Sequence, residues 1–268
     1  MNETFNLKRF WTFFRYDLRQ MWRRNAKPAM FIGGGGIILL VLWAFFSMVI
    51  FFIWTTPPLW ARIAGLGISY TILQMYMTRS YGFLTDRRRG SDYLMIPAST
   101  LEKFISMMIV ILIVIPFLFC AVYYVTDALI CLAFPASGIS LFGATGNLIH
   151  TISEADRTLR ELEMPMNLSV SSIFTFFSLS GIYSLLFYVL CGTIFKRFKI
   201  LWALLISFVV GTILSSVLTI YIGNVDFDVL ENGPEVIHTV FTATKIFMIV
   251  ASIAMAAGLY FRLKKIQH

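Results

Sequence analysis

The amino-acid sequence predicts an all-α, polytopic membrane protein: six transmembrane helices, an N-terminal interfacial amphipathic helix, and both termini in the cytosol. Three observations predict it. Of the 268 residues, 58% are hydrophobic and 13% charged, and the mean hydropathy is +0.78, too apolar for a soluble domain of this size. Six apolar stretches reach the roughly 20 residues that carry a helix across a hydrocarbon core about 30 Å thick. Finally, Lys and Arg gather in every second polar interval, the pattern that marks the cytosolic side.

Residues 1–28 form the first element. Leu7, Trp11, Phe14, Leu18 and Met21 recur at steps of four and three and so share one helix face, while Arg9, Thr12, Arg19 and Arg23 fall largely elsewhere. Such a helix lies in the headgroup plane, either as a simple anchor or as an elbow bracing the bundle. Residues 29–268 form one six-helix domain, with spans at Ala29–Trp54, Leu59–Thr78, Phe104–Val125, Ile173–Phe195, Ile200–Ile222 and Val240–Leu259. In the first span Gly33-Gly34-Gly35-Gly36 lacks the Lys-Ser or Lys-Thr of a phosphate loop, which leaves close helix packing or a flexible entry. Pro57-Pro58 makes an outer turn, after which Arg62 is expected to snorkel back to the headgroups.

The second cytosolic interval, residues 79–104, is the longest polar stretch on the basic side. It holds Arg87-Arg88-Arg89, a break at Gly90, and Ser99-Thr100-Leu101-Glu102, the spacing of a reciprocal helix cap. A helix therefore starts at Ser99 and enters the bilayer. The longest outer segment, residues 126–172, contains a polar stretch from Ser153 to Glu163 that predicts a short solvated helix or a cap over an exit path. In the fifth span Ser207, Gly211, Ser215 and Thr219 lie four apart, a row of small residues for close packing in the bundle or across a dimer, or for lining a path. Asp226, Asp228, Glu231 and Glu235 follow without a His or Cys at ligand spacing, so they predict a wet acidic rim and no metal site.

Charge and missing chemistry narrow the function. Most of the 22 Lys and Arg flank the cytosolic ends of the spans, so the net charge of +8 is a topology signal and not a nucleic-acid surface. Cys120, Cys131 and Cys191 lie in or near spans and form no disulfide framework. No predicted span holds an Asp or Glu, Lys245 and Arg62 are its few cations, and His150, His238 and His268 are scattered. No GxSxG or HExxH occurs. Intramembrane catalysis and ion coupling need ionisable groups at depth, so the expectation is a non-enzymatic protein whose driving force comes from a cytosolic partner.

The stretch YLMIPASTLEKF, Tyr93 to Phe104, resembles one in permease subunits of ABC-2 type ABC transporters, in particular Bacteroidota-like ones. The six-span plan with an amphipathic elbow is similar to that family as well. The resemblance implies a bacterial inner-membrane exporter subunit with no cofactor of its own, with ATP and Mg held by a separate ABC ATP-binding subunit. It also implies pairing with a second permease copy or a related permease. The ATPase would dock on a coupling helix best matched by Thr85 to Leu94, through Asp86, Arg87, Arg88, Arg89, Asp92 and Tyr93. In the family the larger outer element lies between the fifth and sixth spans, whereas here the longest lies between the third and fourth. The alternative from the residues themselves is a non-transporting membrane scaffold, assembly or immunity factor that recruits a cytosolic partner.

Overall fold

Apolar runs interrupted by caps and breaks give helices, and helices are what the computed structural model contains. It describes residues 5–23, 59–85, 93, 95–133, 138–161, 170–223 and 229–267. Helix α1 spans Leu7–Met21 and is capped by Asn6, whose side chain accepts from the backbone N–H of Lys8 and Arg9. Helix α2 spans Leu59–Ser80, followed by a 3₁₀ turn at Gly82–Thr85. Helix α3, Thr100–Ile109, passes through a π turn at Val110–Val114 into α4, Ile115–Ala133. Then come α5 (Leu141–Glu161), α6 (Val170–Ile194), α7 (Lys199–Gly223) and α8 (Val229–Gln267). No strand occurs among the described residues.

Among the described residues three stretches are long and apolar enough to cross a membrane: Thr100–Leu132, Phe174–Ile194 and Thr239–Ile266. The protein is therefore an all-helical membrane protein. The helices predicted at Leu59–Thr78 and Ile200–Ile222 form as α2, of 22 residues, and α7, of 25 residues, which opens on the apolar run Lys199–Ile213. The predicted span Ala29–Trp54, with Gly33 to Gly36, lies outside the described residues. So do Asp226 and Asp228, while Glu231 and Glu235 fall in the first turns of α8.

Two boundaries differ from the sequence expectation. The polar helix expected at Ser153–Glu163 begins at Leu141, because Asp127 meets the backbone N–H of Leu141 and starts it a dozen residues earlier. The third predicted span, Phe104–Val125, runs through the π turn and on to Ala133. In a regular α-helix Pro116 would offer no N–H to Leu112 and its ring would press on that carbonyl. The wider π turn, with the Ile115 N–H bonded to Val110 O, sits immediately before Pro116 and loosens the ladder where that conflict falls.

Helix α6 is the hub. It packs along α2 and α8 and meets the start of α7. Lipid tails give apolar helices no hydrophobic reason to associate, so contact depends on close approach and on interhelical hydrogen bonds. Gly192 supplies the approach: a Cβ there would lie 2.8–2.9 Å from the backbone carbon and Cα of Thr78. Gln74 supplies the bond, donating to Ser184 Oγ at 2.8 Å. The row expected to pack in the bundle or across a dimer, or to line a path, is largely exposed in the single chain. Gly211 and Ser215 are exposed, Ser207 is half-buried, and a Cβ on Gly211 meets nothing within 4 Å. That row makes no close helix contact among the described residues; Thr219 lies in the last turns of α7.

The contacts also sort the helix ends. Gly82 meets Lys199, Thr193 meets Arg262, and Phe104 stacks edge-on against Tyr260 at 5.6 Å. The basic residues of these connections thus share one end of the bundle. Gly192→Ala is expected to cost about 1–3 kcal/mol by overpacking against backbone that cannot retreat, whereas Gly211→Ala is neutral or slightly stabilising. Thermal unfolding in detergent checks this, and equal midpoints for the two variants would refute the close approach.

Candidate functional site

The site grows from the predicted cap at Ser99 and Glu102. Both halves of the cap are present: Glu102 N–H donates to Ser99 Oγ at 3.2 Å, and Ser99 N–H donates to Glu102 Oε2 at 2.9 Å. A cap at a helix mouth normally stays wet. Glu102 is instead 0% exposed, and it takes three further donors from α1. Arg9 Nε donates to Oε2 at 2.8 Å and to Oε1 at 3.1 Å, Arg9 Nη2 donates to Oε1 at 2.8 Å, and Asn6 N–H donates to Oε1 at 2.9 Å. One carboxylate thus caps α3, closes the loop before it, and binds the amphipathic helix in the forked geometry that suits a guanidinium. Hydrogen bonding to Glu102 raises the Arg9 guanidinium above its ordinary pKa, so Arg9 stays charged.

Helix α1 reaches the bundle with a face only partly the one expected. Phe10, Phe13, Asp17 and Met21 are buried and Phe14 and Leu18 pack against the core, while Leu7 and Trp11 are exposed. The apolar residues spread over two sides of the helix because it lies between the bundle and the surroundings, and the first two residues of the expected stripe face outward. Within the inner stripe Asp17 accepts from Ser106 Oγ at 2.6 Å and from Tyr81 OH at 3.3 Å. Glu102, Lys103 and Ser106 of α3 are all buried. Glu102 and Ser106, at i and i+4, share the face turned to α1. Of the two elbow readings, the brace is the one with these contacts.

The predicted docking residues divide. Tyr93 is 2% exposed and packs edge-on against Phe13 at 5.5 Å and Phe83 at 5.8 Å. It belongs to the core under α1 and offers no ring to a partner. Asp86, Arg87, Arg88, Arg89 and Asp92 lie outside the described residues; of the expected helix Thr85–Leu94, Thr85 ends the 3₁₀ turn.

No family model, curated protein or solved structure matches the chain.

At the opposite end the structure corrects the expectation for Arg62. Arg62 does not snorkel: it is 0% exposed and its Nη1 pairs with Asp127 Oδ1 at 2.9 Å. Nη1 also donates to Cys131 Sγ, and Nη2 donates to Ile139 O, each at 2.8 Å. Asp127 was placed outside the third span, but the crossing stretch Thr100–Leu132 contains both it and Glu102. Both lie toward the ends of that 33-residue stretch, outside the predicted span Phe104–Val125, which holds no Asp or Glu. The pair is a clasp: Asp127 Oδ2 accepts the Leu141 N–H at 2.6 Å, and Tyr123 OH donates to Arg62 O at 2.9 Å in the space left by Gly65. It joins α2, α4 and the start of α5.

Sequence reasoning missed this pair because Arg62 and Asp127 stand 65 positions apart. It missed the inner stripe too, although Phe10, Phe13, Asp17 and Met21 already carry helical spacing. Among the described residues no group of His, Cys, Asp and Glu could hold a metal ion.

Two predictions follow from the geometry. Glu102→Ala removes more than a cap, so its cost should exceed the about 0.5–2 kcal/mol of an isolated cap and the cost of Ser99→Ala; unfolding in detergent reads both, and equal losses would refute the clamp. Asp127→Ala leaves a guanidinium buried and should cost about 3–5 kcal/mol, whereas Arg62→Met with Asp127→Leu should recover most of that loss. A double variant no more stable than the single one would overturn the ion-pair account.

Proposed function

We propose that the chain is the permease subunit of an ABC-2 type transporter, an exporter of the bacterial inner membrane with six spans and both termini in the cytosol. It works with a second permease, and separate ATP-binding subunits that hold ATP and Mg dock on the loop between α2 and α3. The single observation that carries this reading is the clamp at Glu102. Whatever pushes on the segment between Gly82 and Ser99 acts on a chain whose far end is bound at once to α1 and α3, since Glu102 bonds Asn6, Arg9 and Ser99 together. Its near end is held to α7 by Lys199 Nζ donating to Gly82 O at 2.6 Å. A loop anchored at both ends to different helices passes a displacement into the bundle instead of absorbing it.

Support also comes from what the buried charges do. Arg62 and Asp127 are engaged with each other and with the α4–α5 connection, so they serve as a structural clasp and supply no energy source of their own.

The experiment reverses the basic triplet. Arg87→Glu, Arg88→Glu and Arg89→Glu together should leave membrane insertion and the unfolding midpoint unchanged, abolish co-purification of a Walker-motif subunit in mild detergent, and remove transport-linked ATPase stimulation. Unchanged coupled activity would refute docking at the loop. Failure of the wild-type chain to retain any such subunit, in repeated preparations, would favour the scaffold reading.

A further inference from the structure

At the basic end, the last turn of α2 and the turn between α6 and α7 border an open cavity of about 590 Å³. Its wall is of two kinds. Arg79, Lys196 and Lys199 give it three cations, and Phe198, Leu201 and Leu204 give it an apolar side. Among the described residues no carboxylate lines it. Lys199 is committed to Gly82 O, but Arg79 and Lys196 make no hydrogen bond or ion pair among the described residues and are exposed.

Position explains what such a wall is for. Lys196 follows by two residues the end of a crossing stretch, Phe174–Ile194, so the cations stand at headgroup level. From there the apolar side continues along α7 through the exposed Leu201, Leu205 and Phe208. Phe198, with φ of 51°, is held in the left-handed region that costs a non-glycine residue about 1–3 kcal/mol, and its ring is 73% exposed at the mouth. A polar protein surface would match the cations but not this greasy flank. A free phosphate would match neither the flank nor the length of the groove.

We propose that this cavity binds an anionic phospholipid, with its phosphate between Arg79 and Lys196 and an acyl chain along Leu201, Leu204 and Phe208 of α7. The lipid seals the junction of α2, α6 and α7 from the side. This site is independent of any partner ATPase and needs only that the helices sit in a bilayer.

The test uses delipidated full-length protein in maltoside micelles, titrated with phosphatidylglycerol and with phosphatidylcholine, and native mass spectrometry counts the bound lipid. Wild type should retain phosphatidylglycerol at least about tenfold more tightly than phosphatidylcholine. Each cation near a surface contributes a factor of roughly five, so Arg79→Gln with Lys196→Gln should weaken phosphatidylglycerol about 25-fold at an unchanged unfolding midpoint. Lys264→Gln with Lys265→Gln removes the same charge from the exposed end of α8 and should leave retention unchanged. Equal retention of the two lipids by wild type would overturn the site, as would equal losses in the two double variants. Displacement of phosphatidylglycerol by millimolar inorganic phosphate would overturn the lipid in favour of a free anion.

Discussion

A carboxylate closed off from water must be given donors, because a buried unpaired charge costs more than almost any single contact returns. Glu102 meets that requirement with Asn6, Arg9 and Ser99, and much of the basic end follows from it. Since two of those partners belong to α1 and its cap, the amphipathic helix cannot lie freely on the bundle. Since the third is the N-cap of α3, the loop before α3 cannot leave without uncapping a helix. Asp17, about two turns along α1 from Arg9, repeats the logic on the same pair of helices through Ser106 and extends it to Tyr81 after α2.

The other end of the bundle solves the same problem with different parts. Arg62 and Asp127 neutralise each other, and Arg62 Nη1, Arg62 Nη2 and Asp127 Oδ2 also reach Cys131, Ile139 and Leu141. Because breaking such a pair leaves an isolated charge, it holds α2, α4 and α5 in register even though its net contribution over apolar residues is small. Between the two ends no charge is needed. There Gly192 against Thr78 and Gln74 on Ser184 bring α2 and α6 together, the means available where hydrocarbon supplies no drive for helices to associate.

The π turn before Pro116 and the left-handed Phe198 are two local departures from regular helix. Each has a physical cause or consequence nearby: a proline that cannot donate in the first case, a cationic and apolar cavity at the connection of two helices in the second. Both sit where the chain enters or leaves a packed interface, so that irregular backbone serves geometry that regular helix would not provide.

The sequence by itself determined the helical, membrane-embedded class, the reciprocal cap at Ser99 and Glu102, and the extents of α2, α6 and α7 to within a few residues. These depend on patterns contained in one turn or one membrane thickness, where spacing, apolarity and capping chemistry act locally. It misplaced Arg62, Tyr93, part of the packed face of α1 and the far end of the third span. Only the tertiary structure decided those, because the partner of a buried charge is chosen by proximity across the fold. Arg9 finds Glu102 at a separation of 93 residues and Arg62 finds Asp127 at 65, distances over which no local period carries information.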